Sequence, residues 1–321
     1  MSRLRALLQA WDRGSIAIAL AAAIVVLGLA LPSIPLQRSV FDYIVVFDIS
    51  QSMNVEDYEL DGTQVSRLSF AHDAARRALR SLPCGSRVGW GAFTGGRTLL
   101  LLAPVEVCSS YNDLLASLAQ IDGRMRWAEA SEVAKGVYWA IQAAQSSAAK
   151  PNILFVSDGQ EAPPLEFAEL PGLLDKVKDH PIRGWLVGAG GDEPSRIPKI
   201  DPDGSRHGYW RPDEVLQSEA AIDGATPGLE HFSSVREQHL QRLAHDLHLD
   251  YTRLTDLRTL SDAMKDRRFA RQREVPTDLS WMAAALALLL LTLRFRPAFP
   301  GKFGAVSAQP GRQRWDGTEV A

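Results

Sequence analysis

The chain has 321 residues, 46% hydrophobic and 23% charged, which is too apolar for a disordered protein and long enough for one sizeable domain with additions. Its 35 basic and 38 acidic side chains leave a formal charge of -3. That balance lacks the strong basic excess of a typical nucleic-acid binder and argues against that class.

The first element is apolar. Ile16 to Leu31 is almost purely Ala, Ile, Leu and Val, and the apolar character continues to Leu36. A run of this length predicts a transmembrane helix over 15–36 after a cytoplasmic N-terminus, residues 1–14. A cleaved signal peptide is the alternative, since Arg3, Arg5 and Arg13 form a basic start and Gly28-Leu29-Ala30 offers small residues.

Tyr43 to Asp48 then reads as a buried strand. It runs into Asp48-Ile-Ser50-Gln-Ser52, a carboxylate and two hydroxyls at alternate positions in the loop where the strand ends. Met53 to Gln64 is polar and reads as loop. Arg67 to Leu79 has helical periodicity, stopped by Pro83 and Gly85. Val88 to Phe93 and Thr98 to Leu102 read as a hairpin around Gly95-Gly96. Cys84 and Cys108 lie almost symmetrically about that turn, so a disulfide is geometrically possible and two unpaired core cysteines are the alternative. A disulfide would agree with an oxidising compartment.

Helices follow over Tyr111 to Ile121 and Ser131 to Ala144. A second buried strand, Asn152 to Val156, ends in Ser157-Asp158-Gly159. Another, Ile182 to Val187, ends in Gly188-Ala-Gly-Gly191. Residues 190–230 are mostly polar and rich in Asp, Gly and Pro. Helix, strand and helix over 236–247, 249–254 and 257–268 complete the domain. Strands alternating with helices predict an α/β fold with a mostly parallel sheet and an antiparallel edge strand.

A second apolar segment, 279–295, is flanked by Trp281, Arg294 and Arg296 and predicts a further transmembrane helix, with a buried core helix as the alternative. Arg294, Arg296, Lys302, Arg312 and Arg314 make the tail, residues 296–321, cytoplasmic. The domain between the spans then faces the periplasm from the bacterial inner membrane. The basic cluster Lys265 to Arg273 lies on the opposite side of the span and argues against that orientation.

Oxygen-only ligands suit a hard divalent cation, Mg²⁺ or Ca²⁺. Asp48, Ser50, Ser52 and Asp158 lie at strand ends, and Ser131 lies at a helix start. In a parallel sheet the C-terminal ends of neighbouring strands share one edge, where such folds hold ligands. The pattern resembles the von Willebrand factor A domain and its metal-ion-dependent adhesion site, over roughly residues 40–270. The resemblance implies a doubly wound, Rossmann-like sheet and a cation held by Asp48, Ser50, Ser52, Ser131 and Asp158. It also implies a position left open for a carboxylate from a protein partner. Ser131 stands where the family has Thr, which keeps the hydroxyl and loses a methyl.

Further phrases, Phe47 to Tyr58, Leu82 to Val88, Pro104 to Cys108 and Asp158 to Leu165, resemble the MxaL-type accessory proteins of bacterial methanol oxidation. Those proteins are similar to Bat-type membrane-anchored A domains, which are associated with MoxR-type AAA+ ATPases. The resemblance implies a non-enzymatic role in maturing periplasmic methanol dehydrogenase, including calcium insertion. Methanol dehydrogenase or a sibling A-domain protein is then the partner. The alternative is a Bat-type envelope-stress or chaperone-like protein with another client.

Weaker signals point elsewhere. Gly188 to Gly191 lacks the third glycine and the immediate helix of a dinucleotide loop. Asp201-Pro-Asp-Gly204 lacks the downstream Glu of a calcium loop and reads as a turn. His245 and His248 have no further metal ligand nearby. Neither Ser50 nor Ser52 sits in a nucleophile elbow, which disfavours a hydrolase.

Overall fold

The computed structural model describes residues 13–30, 33–164, 172, 177, 181–217 and 228–295. The chain divides into two units, Met1–Ile34 with Pro276–Ala321, and Pro35–Val275.

The elements begin with helix α1 (Arg13–Ala30), strand β1 (Ile34–Val40) and strand β2 (Asp42–Asp48). A short hairpin, β3 (Tyr58–Leu60) and β4 (Thr63–Val65), precedes helix α2 (Arg67–Ser81). Strands β5 (Arg87–Thr94) and β6 (Arg97–Glu106) lead to helices α3 (Tyr111–Leu118) and α4 (Val133–Ser146). Strands β7 (Asn152–Ser157) and β8 (Gly184–Gly188) come next. Four short strands follow: β9 (Ser195–Arg196), β10 (Pro198–Ile200), β11 (Arg206–Tyr209) and β12 (Phe232–Ser233). Helix α5 (Glu237–Asp246), β13 (Asp250–Arg253), helix α6 (Thr259–Met264), β14 (Arg271–Thr277) and helix α7 (Ser280–Arg294) complete the order.

Every residue of β2 is buried, because helices cover both faces of the sheet. Alternation along the strand sorts its side chains. Tyr43, Val45 and Phe47 pack with Phe70, Ala74 and Ala78 of α2. Ile44 and Val46 pack on the other face with Val137 and Ile141 of α4 and Leu243 of α5. The six-stranded sheet runs β13-β8-β7-β2-β5-β6, and all its pairs are parallel except β5 with β6. The mixed, mostly parallel α/β sheet expected from the sequence is therefore present. The chain passes from β2 to β5 on one side and returns to β7 on the other. The order reverses at β2, and the crevice at such a switch point is where open α/β sheets bind ligands.

Ser66 starts α2 by accepting a hydrogen bond from the Ser69 N–H, and Cys84 and Cys108 form a disulfide with Cα atoms 5.3 Å apart. In and just after the polar stretch 190–230, the described residues pair β9 with β12 and β10 with β11. The loop after Asn54 likewise contains the β3–β4 hairpin.

The two flanking membrane spans are not borne out. Among the described residues no helix is long and apolar enough to cross a membrane. Of the segment 15–36, the described helix is Arg13–Ala30, and Ile34 belongs to β1, which pairs with β14. Pro35, within β1, opposes helical continuation there. Helix α7 has 15 residues, about 22 Å at 1.5 Å per residue, short of the roughly 30 Å hydrocarbon layer. The expected inner-membrane, periplasm-facing placement rested on those spans and falls with them. Within their own unit the two helices approach closely at Gly28, where a Cβ would stand 2.3 Å from the Ala283 Cβ. The terminal segments read as cytoplasmic, with Arg3, Arg5, Arg296, Lys302, Arg312 and Arg314, lie outside the described residues.

Candidate metal site

Asp48 ends β2 with no solvent exposure. The Ser50 N–H donates to Asp48 Oδ1 at 2.9 Å, bending the chain into a 3₁₀ turn over Gln51–Asn54. This turn brings the Ser50 and Ser52 hydroxyl oxygens to 3.2 Å from each other, both residues buried. Ser157, at the end of β7, donates its hydroxyl to Asp48 Oδ2 at 2.7 Å. Burial, then the charge of Asp158, pushes the Asp48 carboxyl up to about 7, against the hydrogen bonds from Ser50 and Ser157.

Asp158 is also fully buried, and it is more heavily bonded. Its Oδ1 accepts from the Gln160 N–H at 3.0 Å. Its Oδ2 accepts from Arg67 Nη1 at 2.8 Å and from the Ser233 hydroxyl at 2.7 Å. Arg67 reaches it from the first turn of α2 and donates also to Asp57 through Nε and Nη2. Gly159 turns the chain here with φ +77°, and a Cβ would meet Leu240 Cγ at 2.7 Å, so only glycine fits without a shift.

Ser131 lies just before α4. Its backbone is pinned on two sides: its N–H donates to Ala162 O at 2.7 Å, and the Glu132 N–H donates to Gly95 O at 2.7 Å. Glu161 accepts from the Val133 and Ala134 N–H groups at the helix start. The Ser131 hydroxyl is buried and bonded to no protein group. Ser131 and Ser52 line one pocket of about 250 Å³, together with Gln160, Trp210 and Leu216.

Direct hydrogen bonds thus join Asp48, Ser50 and Ser52, and Ser131 shares a pocket with Ser52. Asp158 faces Asp48 electrostatically while its oxygens serve Arg67, Ser233 and the Gln160 amide. This donor set fits a hard divalent cation. A buried hydroxyl lacks a partner, and two buried carboxylates repel each other. Holding such an ion, these residues would supply a Lewis-acidic point that a carboxylate can complete.

Sequence reasoning missed Arg67, Gln51, Gln160 and Trp210. Gln51 sits inside the motif itself and clamps β10, accepting from the Ile200 N–H at 3.2 Å and donating to Ile200 O at 2.9 Å. A lone arginine or glutamine has no local pattern that marks it as buried.

The other candidates resolve differently. The Gly190 and Gly191 N–H groups donate to the Tyr58 hydroxyl and to Asp57 Oδ2, so neither points to a phosphate. Asp201 to Gly204 is a turn closed by the Gly204 N–H on Asp201 O at 2.8 Å. Cys84, Glu106 and Cys108 offer ligand atoms within 4.8 Å of one another and could hold a metal ion as thiols, although here the two sulfurs are bonded to each other.

The profile of the von Willebrand factor type A domain family matches residues 43–160, a span that contains Asp48, Ser50, Ser52, Ser131 and Asp158. Over those residues the chain is similar to a von Willebrand A domain. Domains of this kind are generally non-catalytic adhesion and adaptor modules, which agrees with the non-enzymatic reading. Among solved structures, the chain is similar to an aerotolerance-related membrane protein from Bacteroides fragilis NCTC 9343, with 17% identity, 70% of this chain and 96% of that one covered, and a TM-score of 0.48. It is also similar to the conserved hypothetical protein BatB from Bacteroides thetaiotaomicron, with 19% identity, coverage of 71% and 97%, and a TM-score of 0.49. A von Willebrand factor type A protein from Catenulispora acidiphila shares 12% identity, with coverage of 79% and 46% and a TM-score of 0.39. No curated protein matches the chain.

These findings correct the expected client. Nothing among them concerns methanol oxidation, and the maturation of methanol dehydrogenase is not supported as the role of this chain.

Proposed function

We propose that the protein is a binding module in which Asp48, Ser50, Ser52 and Ser131 hold a Mg²⁺ or Ca²⁺ ion. Asp158 adds negative charge beside it. The ion captures a carboxylate from a protein partner. The observation that carries this reading is the Ser131 hydroxyl, buried without a hydrogen-bond partner on the wall of the pocket that Ser52 also lines. A neutral hydroxyl left unpaired in a protein interior costs about 1–3 kcal/mol, and a cation gives its lone pair a use. With Asp48 the one charged ligand and Asp158 already ion-paired with Arg67, the ion keeps net positive charge, which favours an added anionic ligand.

A sibling A-domain protein and a MoxR-type ATPase, both implied by the likeness to Bat-type sequences, are the partners to try first.

The test is thermal unfolding of the full chain with and without Mg²⁺ or Ca²⁺, beside Asp48→Ala. An ion that binds only the folded state raises the midpoint. A rise in the parent that vanishes in the variant is the expected result. No rise in the parent at millimolar ion removes the metal from the mechanism.

A further inference from the structure

Three buried side-chain atoms without hydrogen-bond partners belong to residues that line one pocket. They are Ser131 Oγ, Gln160 Oε1 and Trp210 Nε1. Ser131 and Gln160 are each only 4% exposed. Chance scatter is a poor account of this, since buried polar atoms are nearly always paired.

The orientation of each group is set by neighbours. Gln160 donates its Nε2 to the Glu230 and Phe232 carbonyls at 3.1 and 3.2 Å, which leaves Oε1 as an acceptor. Trp210 offers only a donor. Its backbone N–H is held by Ile197 O at 3.0 Å, and Lys199 Nζ lies 4.7 Å from the ring centre. The walls between these polar points are Ile197, Pro163, Val215 and Leu216. One acceptor and one donor among apolar walls match a neutral amide carrying an apolar side chain.

Charge narrows the occupant further. Glu129, Glu161, Glu214 and Glu230 also line the pocket. An anion placed here meets like charge, so the carboxylate of a partner belongs at the cation and not in this pocket. The volume, about 250 Å³, lies below the range of drug-sized ligand sites and suits a single side chain with its backbone amide.

We propose that this pocket is a specificity subsite for an extended peptide, taking the backbone amide and a leucine-type side chain of the residue next to the metal-bound acidic residue. Trp210 Nε1–H donates to the peptide carbonyl, and Gln160 Oε1 accepts from the peptide N–H. The apolar side chain lies against Ile197, Val215 and Leu216. The assignment rests on the metal-adhesion reading for the acidic residue and on the pocket alone for its neighbour.

The experiment titrates the full chain in saturating Mg²⁺ with acetyl-Leu-Asp-Leu-amide and acetyl-Gly-Asp-Gly-amide, in the parent and in Trp210→Phe. Phe keeps an apolar wall and loses the N–H, and the unfolding midpoint without ion verifies its fold. The leucine peptide is expected to bind the parent about tenfold or more tightly than the glycine peptide. In Trp210→Phe that preference narrows to about threefold or less. Equal, Mg²⁺-dependent binding of both peptides overturns the subsite and leaves metal adhesion standing. Should Mg²⁺ have no effect on the parent, acetyl-Leu-amide alone decides the matter. A shifted Trp210 indole N–H resonance, assigned by its loss in Trp210→Phe, supports the pocket, and an unshifted one overturns it.

Discussion

Arg67 Nη1 donates to Asp158 Oδ2 at 2.8 Å, and neither side chain has any solvent exposure. The same guanidinium holds Asp57 at 2.7 Å and the Ser233 carbonyl at 3.1 Å. One cation thereby joins the start of α2, the loop after β7 and the short strand β12.

Arg67→Ala is expected to destabilise the fold by about 3–5 kcal/mol, the usual result of stranding a buried carboxylate. Arg67→Lys should recover little, because a point charge cannot serve Asp57, Asp158 and Ser233 from one planar fork. Urea unfolding measures both. A loss under about 1 kcal/mol for Arg67→Ala would show that Asp158 is not dependent on it.

Ser131→Ala separates a ligand role from a structural one. The hydroxyl bonds no protein group, so its removal should leave metal-free stability within about 0.5 kcal/mol or raise it slightly. Mg²⁺ affinity should fall by at least the roughly tenfold cost of losing an outer-shell partner. Calorimetric titration beside metal-free unfolding checks the pair of outcomes. Unchanged affinity would remove Ser131 from the ligand set.

The disulfide closes a loop of sequence separation 24 between Cys84 and Cys108. Cys84→Ser with Cys108→Ser should lower stability by about 2–4 kcal/mol, chiefly through the freed unfolded chain. Because Glu106 binds the Gly85 and Ser109 N–H groups independently, the hairpin should still form. The ion response of the unfolding midpoint should persist in this variant.

His72 sets an acid-side dependence. Burial, then the nearby Arg76 charge, lowers its pKa to about 4, while Asp73 and Asp122 pull it back up. The ring packs edge-on to Phe47 with centroids 4.8 Å apart. In the unfolded chain the imidazole takes a proton near pH 6.5, and in the fold only near pH 4. The unfolded state therefore binds more protons in that window. Stability present at neutral pH is lost as pH falls from about 6.5 to about 4, by at most about 3 kcal/mol from this group. His72→Gln should flatten that part of the profile. Parallel stability profiles for parent and variant would discount His72.

The strand reading was legible because it is local. Tyr43 to Phe47 is an unbroken apolar run, and such runs mark strands covered on both faces. The motif Asp48-Ile-Ser50-Gln-Ser52 is contiguous, so its hydroxyls meet whenever that loop turns. The flanking segments show the limit of the same approach. An apolar composition says that a segment avoids water, while the length of the helix depends on where the backbone changes course, here before β1.

The sequence by itself determined which loops bring oxygens to the end of the sheet, since chain order and alternation place Asp48, Ser50, Ser52 and Asp158 after buried strands. Only the tertiary structure decided which of those oxygens are already engaged. Arg67 meets Ser233 across 166 residues, and Ser157 meets Asp48 across 109. Hydrogen bonding is saturable and short-ranged, so a group's free valence depends on neighbours that arrive from elsewhere in the chain. That is why the unpaired hydroxyl of Ser131 and the pocket walled by Trp210 and Gln160 are properties of the fold rather than of any motif.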